Sequence, residues 1–597
     1  MTDHRVASLL APLAFWSLIN GIDEVFVDLA GFAAYLKRRF SIDPRHHIPT
    51  EEELDAVPPR LMAIFVSAWK EHKVIQRMIE NNAIRLNYAR FEFFVGAYPN
   101  DSLTLEAIQE ITKRYSNVHL ALTPHDGPTS KADNLNWIYQ RMLLHEQERG
   151  VRFDMVLIHD AEDLIDPDAL RWINYYAQWN DMVQIPVLAL PTPFRLLSHG
   201  VYCDEFAEFQ FKDMPARQLL GGFIPSNGVG TGFSRRALEM LAETYSNRVF
   251  EPACLTEDYE NGFRIRHLGL CQKFVPIHFR HGRPIATREY FPLCFSKAVR
   301  QRTRWIMGIT LQSWRYHSTP ETFRWLYWFW RDRRGLIGNL ITPVANILFV
   351  WGVASWIGSR MTHETWALGH ALSRFYLICA VSLSIQIFQT AIRAVCSARI
   401  YGWRFACGVP VRVIVANIMN CIATLRAIAI YADAAIHCRP LRWVKTEHAY
   451  PNPTALMAGR MRLRDILIGS LWITPDQLEW ALECKPPDRR LGEHLLLLGM
   501  ITEEDLYTAL SLQNNLPFGK PEPETVSVPV TRALPATVAR SLRVLPFRIA
   551  GGELYVAGPE LPGEQTHNAI RPFSSLDIRF HLVTPTDFEE LADDYLN

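Results

Sequence analysis

The residues with most chemical capacity in this chain are carboxylates set at the ends of apolar runs. Met155-Val156-Leu157-Ile158 predicts a strand buried on both faces, and it stops at His159-Asp160-Ala161-Glu162-Asp163. A buried parallel strand that delivers acids at its carboxyl end is where an open α/β sheet binds ligands. Asp160 and Glu162, one residue apart, can share a divalent cation, and such a cation neutralises a diphosphate. Asp166-Pro167 follows as an expected N-cap and first helical residue. Trp69-Lys70-Glu71 and Tyr98-Pro99-Asn100-Asp101 close two earlier apolar runs, and Thr256-Glu257-Asp258 opens a helical stretch that runs to His267. Gln301-Arg302-Thr303-Arg304-Trp305 sets two guanidiniums, an amide and an indole within five residues. Taken singly, each cluster is also what a strand-end turn, an acid-favouring helix start or a snorkelling interfacial segment looks like.

The elements that must position these groups can be read from periodicity. Leu61–Ala68, Phe91–Ala97, Val118–Leu122 and Met155–Ile158 predict strands, and the patterns at 71–84, 103–115 and 131–149 predict helices between them. That is repeated βαβ, hence an α/β domain with a mostly parallel sheet and helices on both faces. An apolar run at 9–19 is interrupted by Asp23, Glu24 and Asp28 and trailed by Lys37-Arg38-Arg39, which fits a membrane anchor with its carboxyl end inside. After Trp305 an aromatic cluster, Trp325 to Trp330, sits beside Arg331-Asp332-Arg333-Arg334 as expected at a membrane interface. The uncharged runs 335–358 and 375–392 are long enough to span, whereas 409–432 carries Arg412, Asn417, Asn420 and Arg426. If both soluble parts share a compartment, two of these runs cross and 409–432 does not, its arginines facing protein or water.

Lys plus Arg and Asp plus Glu both number 62, so net charge gives no sign of a nucleic-acid partner. The ten cysteines form no CxxC pair and no His/Cys cluster at metal spacing, which speaks against a disulfide framework or structural zinc. Neither a GxGxxG dinucleotide fingerprint nor a GxxxxGK[ST] P-loop occurs. The expected organisation is an anchor at 1–40, a linker at 41–58, a catalytic domain at 59–315, interface and transmembrane helices at 316–445, a linker at 446–459 and a small α+β domain at 460–597. That last domain holds a repeat: Arg462-Leu463-Arg464 to Leu482 recurs 28 residues on as Arg490-Leu491-Gly492 to Leu510, each copy a helical hairpin. Thr474 with Gln477 makes a capping box, with Pro475 at the first helical position.

In their order, these clusters resemble the processive glycosyltransferases of family 2, related to cellulose and hyaluronan synthases. That resemblance covers about residues 60–310 and rests on Asp101, Asp160 with Glu162, Thr256-Glu257-Asp258 and Gln301/Arg304/Trp305. Gly127 to Ala132 and Gly230-Thr231-Gly232 fall where that family has donor- and acceptor-side loops. One departure is Glu162 where many relatives carry the second Asp of D-x-D. The tail repeat resembles the N-terminal domain of type II secretion assembly ATPases in its cyclic di-GMP-binding version. Arg490, Leu491, Gly492, Leu495, Gly499 and Gln513 match that motif, while Arg464, Leu471 and Lys485 replace the two glycines and the glutamine in the copy that begins Arg462-Leu463. The order of the three parts, with Arg442-Trp443-Val444-Lys445-Thr446-Glu447-His448, is similar to a phage-adsorption family of membrane glycosyltransferases.

The resemblance implies a GT-A-type nucleotide-sugar-binding fold and an inverting, UDP-sugar-dependent enzyme of the bacterial inner membrane that extends a polysaccharide. It implies Asp258 as base beside Glu257, and Asp160 and Glu162 as ligands of Mg²⁺ or Mn²⁺. It further implies Arg302 and Arg304 on the donor phosphates, Trp305 and Gln301 on the acceptor side, and Glu71, Asp101, Lys131 and Asp160 on the donor. Cyclic di-GMP is the implied effector, the bilayer and an outer-membrane or periplasmic protein the implied partners. The rival reading is a degenerate synthase serving only as a cyclic di-GMP-binding scaffold.

Overall fold

Four of the apolar runs become adjacent parallel strands: β1 (Met62–Ser67), β2 (Phe91–Ala97), β3 (Val118–Leu122) and β4 (Met155–Asp160). The computed structural model describes residues 2–596 except 42, 281, 317–321, 374, 438, 440–462, 465, 466, 468–471, 487, 488, 515, 551, 552, 562 and 575. The expected 446–459 linker, the Arg442–His448 segment and Arg462 therefore lie outside the described residues. Three later strands, β5 (Met182–Gln184), β7 (Thr231–Ser234) and β8 (Gln272–Phe274), complete a seven-stranded sheet of order β3-β2-β1-β4-β7-β5-β8. Here β7 runs antiparallel to both β4 and β5. Short strands β6 (Val187–Ala189) and β11 (Thr287–Glu289) pair in parallel, and β9 (Phe279–Arg280) with β10 (Arg283–Pro284) makes a small hairpin. Only the first four strands were expected; the later ones are two to four residues long, too short to show a period.

Contacts divide the chain into two units. The first comprises Met1–Trp69, Leu86–Asp101 and Tyr115–Ala449. Its core joins Phe65, Phe94, Phe153 and Ile158 of the sheet region to Leu135, Ile138 and Met142 of the helix Lys131–Arg149 and to Leu238 and Leu241 of the helix Arg235–Thr244. Each such side chain, fully withdrawn from water, contributes roughly 1.5–3 kcal/mol. The expected Asp166-Pro167 helix start is corrected: the helix begins at Ala169, and the Asp166 carboxylate instead accepts from the Asp168 amide at 3.1 Å. Asp168 is in turn held by Arg171 at 2.9 Å, by Asn87 at 3.1 Å and by Arg280.

The interrupted N-terminal run is one helix, α1 (Thr2–Phe40). Its acids are satisfied by protein: Asp23 accepts from Tyr327 at 2.6 Å and pairs with Arg331 and Arg334, while Asp28 pairs with Lys212 at 2.8 Å and accepts from Gln389 at 2.6 Å. Charges removed from water persist when paired and hydrogen-bonded in this way. Among the described residues, four helices are long and apolar enough to cross a membrane, namely Val6–Phe40 within α1, Gly335–Thr362, Tyr376–Tyr401 and Val409–Ile436.

The second unit comprises Lys70–Arg85, Ser102–Arg114 and Tyr450–Asn597. Its sheet is β12 (Leu545–Ala550), β13 (Glu553–Gly558) and β14 (Asp577–Leu582), the first pair antiparallel and the second parallel. The Thr474/Gln477 capping box is present, with Pro475 opening the helix Pro475–Glu483.

Candidate active site

The carboxyl end of β4 places Asp160, and the turn after it is fixed from within. Asp163 is fully buried; its Oδ2 accepts from the Asp160 amide at 3.1 Å and lies 2.8 Å from His159 Nδ1. Burial pushes the Asp163 carboxyl well above the usual range, helped by the neighbouring Asp160 and Glu162 charges, and drives His159 down to about 3. Both residues are therefore positioning groups that hold Asp160 at the strand end while Glu162 is buried beside it.

Lys131 marks the centre of the site. It is the first residue of the helix Lys131–Arg149, capped by Ser130, and its ammonium pairs with Asp160 Oδ1 and donates to the Gly228 carbonyl at 3.2 Å. Burial opposes its charge, yet Asp160, Glu257 and Asp258 together hold the amine above its ordinary value. Asp258 stands against Gly228, where a Cβ would lie 2.7 Å from Asp258 Oδ2 and where φ is +80°. Glycine is required there for both reasons. Burial pushes Glu257 up to about 7 with help from the Asp258 charge, and burial likewise raises Asp258 while Lys131 and Arg304 oppose the rise. The strand-end acid, the Thr256-Glu257-Asp258 acids and the lysine thus share one electrostatic neighbourhood.

The Gln301–Trp305 cluster ends the helix Phe295–Trp305 and continues into a π-helical segment, Ile306–Gln312. Gly308 on this segment packs so closely that a Cβ would fall 2.4 Å from Thr256 Oγ1, and the Gln312 amide donates to Ala253 O at 2.6 Å. Insertions of this kind recur at functional sites because they re-aim the following turn. The two arginines divide. Arg304 acts on Glu257 and Asp258 through its charge. Arg302, expected on the phosphates, is instead buried, with Nη2 2.7 Å from Glu205, Nη1 donating to Asn420 at 2.6 Å, and its guanidinium over the Tyr202 ring at 4.5 Å. Both Nη atoms are committed to protein, so it positions the helix. Trp305 packs edge-on against Tyr202, with ring centroids 6.0 Å apart.

On the other side of the sheet centre, Asp101 is buried just after β2, its amide bonded to Tyr98 O at 3.1 Å. Asn100 ties the neighbouring loop by a reciprocal pair with Gly127, at 2.7 and 2.9 Å, and Tyr98 OH meets Thr129 Oγ1 at 2.8 Å. Glu71 belongs to the second unit, buried, with its amide bonded to Thr104 Oγ1 at 3.0 Å. Sequence spacing did not reveal one further cluster: Glu92 Oε2 lies 2.6 Å from His119 Nε2 and 3.1 Å from His145 Nε2. It sits at the opposite strand ends from Asp160 and is internally satisfied by these contacts.

In the tail, both repeat copies share one core of Leu467, Ile473, Leu478, Ala481, Leu495, Ile501, Leu506 and Ala509, with Leu463 and Leu491 packed on it. Arg490 is exposed at the N-cap of the helix Leu491–Leu497, and Gln513 is half-buried in the helix Glu503–Asn514. The glycines have structural reasons of their own. A Cβ on Gly492 would meet Leu506 Cδ1 at 2.5 Å, and Gly499 has φ +66° just past a helix end.

Residues 58–308 match the family described as glycosyltransferase like family 2, and residues 514–597 match the MshEN domain. The latter match begins after the two helical hairpins that carry the expected effector residues. Bacteriophage adsorption protein B of Escherichia coli (strain K12) is 33% identical over 579 residues, covering 93% of this chain and 76% of that protein. Bacteriophage N4 adsorption protein B of Escherichia coli O157:H7 matches to the same extent. Among solved structures, a mannosyltransferase from Pyrobaculum calidifontis in complex with GDP-Man and Mn²⁺ is 15% identical, covers 64% of this chain and 98% of that chain, and gives a TM-score of 0.41. The structure of MshE with cdg is 28% identical over 23% of this chain and 99% of that chain, with a TM-score of 0.21. The chain therefore joins a family 2 glycosyltransferase-like domain built on a mostly parallel sheet, helices able to cross a membrane and a small α+β tail.

Proposed function

This chain belongs to the bacteriophage adsorption protein B family, and from that premise we propose that it transfers a sugar from a UDP-sugar onto a growing exopolysaccharide, with inversion at the anomeric carbon, under the control of cyclic di-GMP bound to its tail. The observation that carries this reading is the Lys131 ammonium held between Asp160 and the Gly228 carbonyl, within the field of Glu257 and Asp258. A cation already sits on the strand-end acid, and a base sits across from it.

Asp258 takes the proton of the acceptor hydroxyl as its oxygen attacks the anomeric carbon from the face opposite UDP. The bond to the diphosphate oxygen breaks, and the UDP carries the charge away. Asp160 and Glu162 are hard oxygen donors that suit Mg²⁺ or Mn²⁺, and the Lys131 ammonium paired with Asp160 supports reading that carboxylate as ionised and facing positive charge. When bound, that metal neutralises the leaving diphosphate. Arg304 adds a fixed positive charge, Asp101 and Glu71 hold the nucleoside side, and Trp305 with Gln301 receives the acceptor sugar. The effector would meet Arg462, Leu463, Arg490, Leu491, Gly492, Leu495, Gly499 and Gln513, chiefly in the second copy. The catalytic domain and tail face the cytoplasm of a bacterial inner-membrane protein, and an outer-membrane or periplasmic protein receives the product.

The deciding experiment measures UDP release and polymer formation by the full chain in membranes against a panel of UDP-sugars. Turnover of one donor, lost on adding a chelator, is expected. No turnover of any UDP-sugar, with cyclic di-GMP still bound, would favour the scaffold reading.

A further inference from the structure

Within the second unit, one face of the tail sheet is committed to a pair of helices from the sequence of the catalytic domain. Arg548, Tyr555 and Arg579 lie side by side across β12, β13 and β14, since Arg548 pairs with Tyr555 and Tyr555 with Arg579 in the strand register. The helices are Ile75–Arg85 and Ser102–Arg114, both inside the stretch that matches the glycosyltransferase family. Arg579 pairs with Glu80, Arg548 Nη1 lies 2.7 Å from Glu110, and Arg77 pairs with Glu553. Tyr555 OH lies 3.4 Å from Gln76 Oε1 and accepts from Arg579 at 3.2 Å. Glu80 also receives Arg114 at 2.6 Å, and only 4% of its side chain is exposed.

This is a buried, charge-complementary surface, unlike a casual contact between a catalytic domain and a tethered tail. Arg77, Arg114, Arg548 and Arg579 all meet carboxylates of Glu80, Glu110 and Glu553, so displacement of the sheet would strand charges away from water. The helix pair is also braced at the end that leads back to the donor. The Glu71 amide bonds to Thr104 Oγ1 at 3.0 Å, Gln76 donates to Ala107 O at 3.0 Å, and Ser102 directly follows Asp101.

We propose that the tail controls the transferase through this surface: the row Arg548, Tyr555, Arg579 grips the two helices, and effector binding in the tail moves them with Glu71 and the Asp101 turn, changing donor affinity and leaving the chemical step alone. The proposal rests on the reading of the tail as a cyclic di-GMP sensor. A ligand shifts such an equilibrium only by its differential affinity for two states, and the helix pair is the part both states share.

The test uses the full chain in nanodiscs, with donor saturation curves with and without cyclic di-GMP, and effector binding measured separately by calorimetry. For the wild type the donor KM is expected to change about fivefold or more with kcat changed less than about twofold. R579Q and E80Q should keep effector binding and basal turnover but lose the KM change. The double reversal Glu80→Arg with Arg579→Glu should restore at least part of it, which a merely misfolded single variant would not allow. Tyr555→Phe, which keeps the ring and removes the hydroxyl, should weaken the KM change without unfolding the tail. A wild-type response carried by kcat alone, or an undiminished KM change in both single variants, would overturn the proposal and leave the sensor reading standing. A wild type that binds no cyclic di-GMP would overturn both.

Discussion

Glu257 is buried with Asp258 half-buried beside it, and their environment makes one of them hold its proton into the neutral range, with Glu257 near 7. A base must be ionised to act, so kcat/KM should fall as pH drops below about 7 and level off above it, reporting the pair as a whole. Asp258→Asn keeps shape and removes proton acceptance. It should lower transfer by roughly a hundredfold or more while donor affinity, measured by binding, stays within a few-fold of wild type. The two arginines of the Gln301–Trp305 cluster separate in the opposite sense. Arg304→Gln should raise the donor KM about tenfold through loss of a charge-assisted contact. Arg302→Gln strands Glu205 in a largely buried pair, so thermal inactivation should show a loss on the order of 3 kcal/mol.

At the scale of elements, the π-helical segment Ile306–Gln312 is where the helix that carries the arginines meets the N-cap of the helix Glu257–His267, whose first turn carries the acids. Gly308 is the contact. With a Cβ already 2.4 Å from Thr256 Oγ1, Gly308→Val must push the Thr256-Glu257-Asp258 turn aside or unwind the insertion. A shift of about 1 Å at a reacting group costs roughly a hundredfold in rate, so turnover should fall by that order. Membrane insertion, checked by yield of the folded chain, should be unaffected. A variant with wild-type turnover would show that the segment tolerates the displacement and that Gly308 has no bearing on the acids.

At the scale of the whole molecule, the helix Val409–Ile436 decides the membrane topology. It is apolar and long enough to span, yet its buried residues Val409, Arg412, Ala416, Met419, Ala423 and Ala427 run along one side, while Thr424 accepts from Asn339 of the helix Gly335–Thr362 at 3.0 Å. Arg412 pairs with Asp204 at 2.6 Å near one end, Asn420 meets Arg302 in the middle, and Ala427 packs with Leu255 and Met307 toward the other. That row covers about 27 Å of helix at 1.5 Å per residue, and on this ground we propose that the helix lies along the domain instead of leaving it. Its other face exposes Val411, Ile414, Ile418, Ile422 and Leu425, and on this reading would rest on lipid. A reporter fused after residue 445 should read the same side as one fused within the catalytic domain. The opposite reading would mean that this helix crosses.

The sequence by itself determined the elements whose chemistry is local. β2, β3 and the helix Lys131–Arg149 fall on the expected residues, because a run of apolar residues or an amphipathic period carries its own signal along the chain. The Asp160, Glu257 and Asp258 cluster was legible for a similar reason, since acids at strand and helix ends announce themselves by type. Tertiary structure alone decided which charged residues are available. Arg302 and Arg304 are two positions apart and chemically identical, and only the presence of Glu205 and Asn420, distant in sequence, removes the first from the site. Asp23, Glu24 and Asp28 looked like breaks in an anchor until Lys212, Arg331 and Arg334 closed on them. The same holds for Glu80 and Arg579, which are 499 residues apart and meet in one ion pair. A charge's partner lies wherever the fold brings it, and no period along the chain encodes that distance.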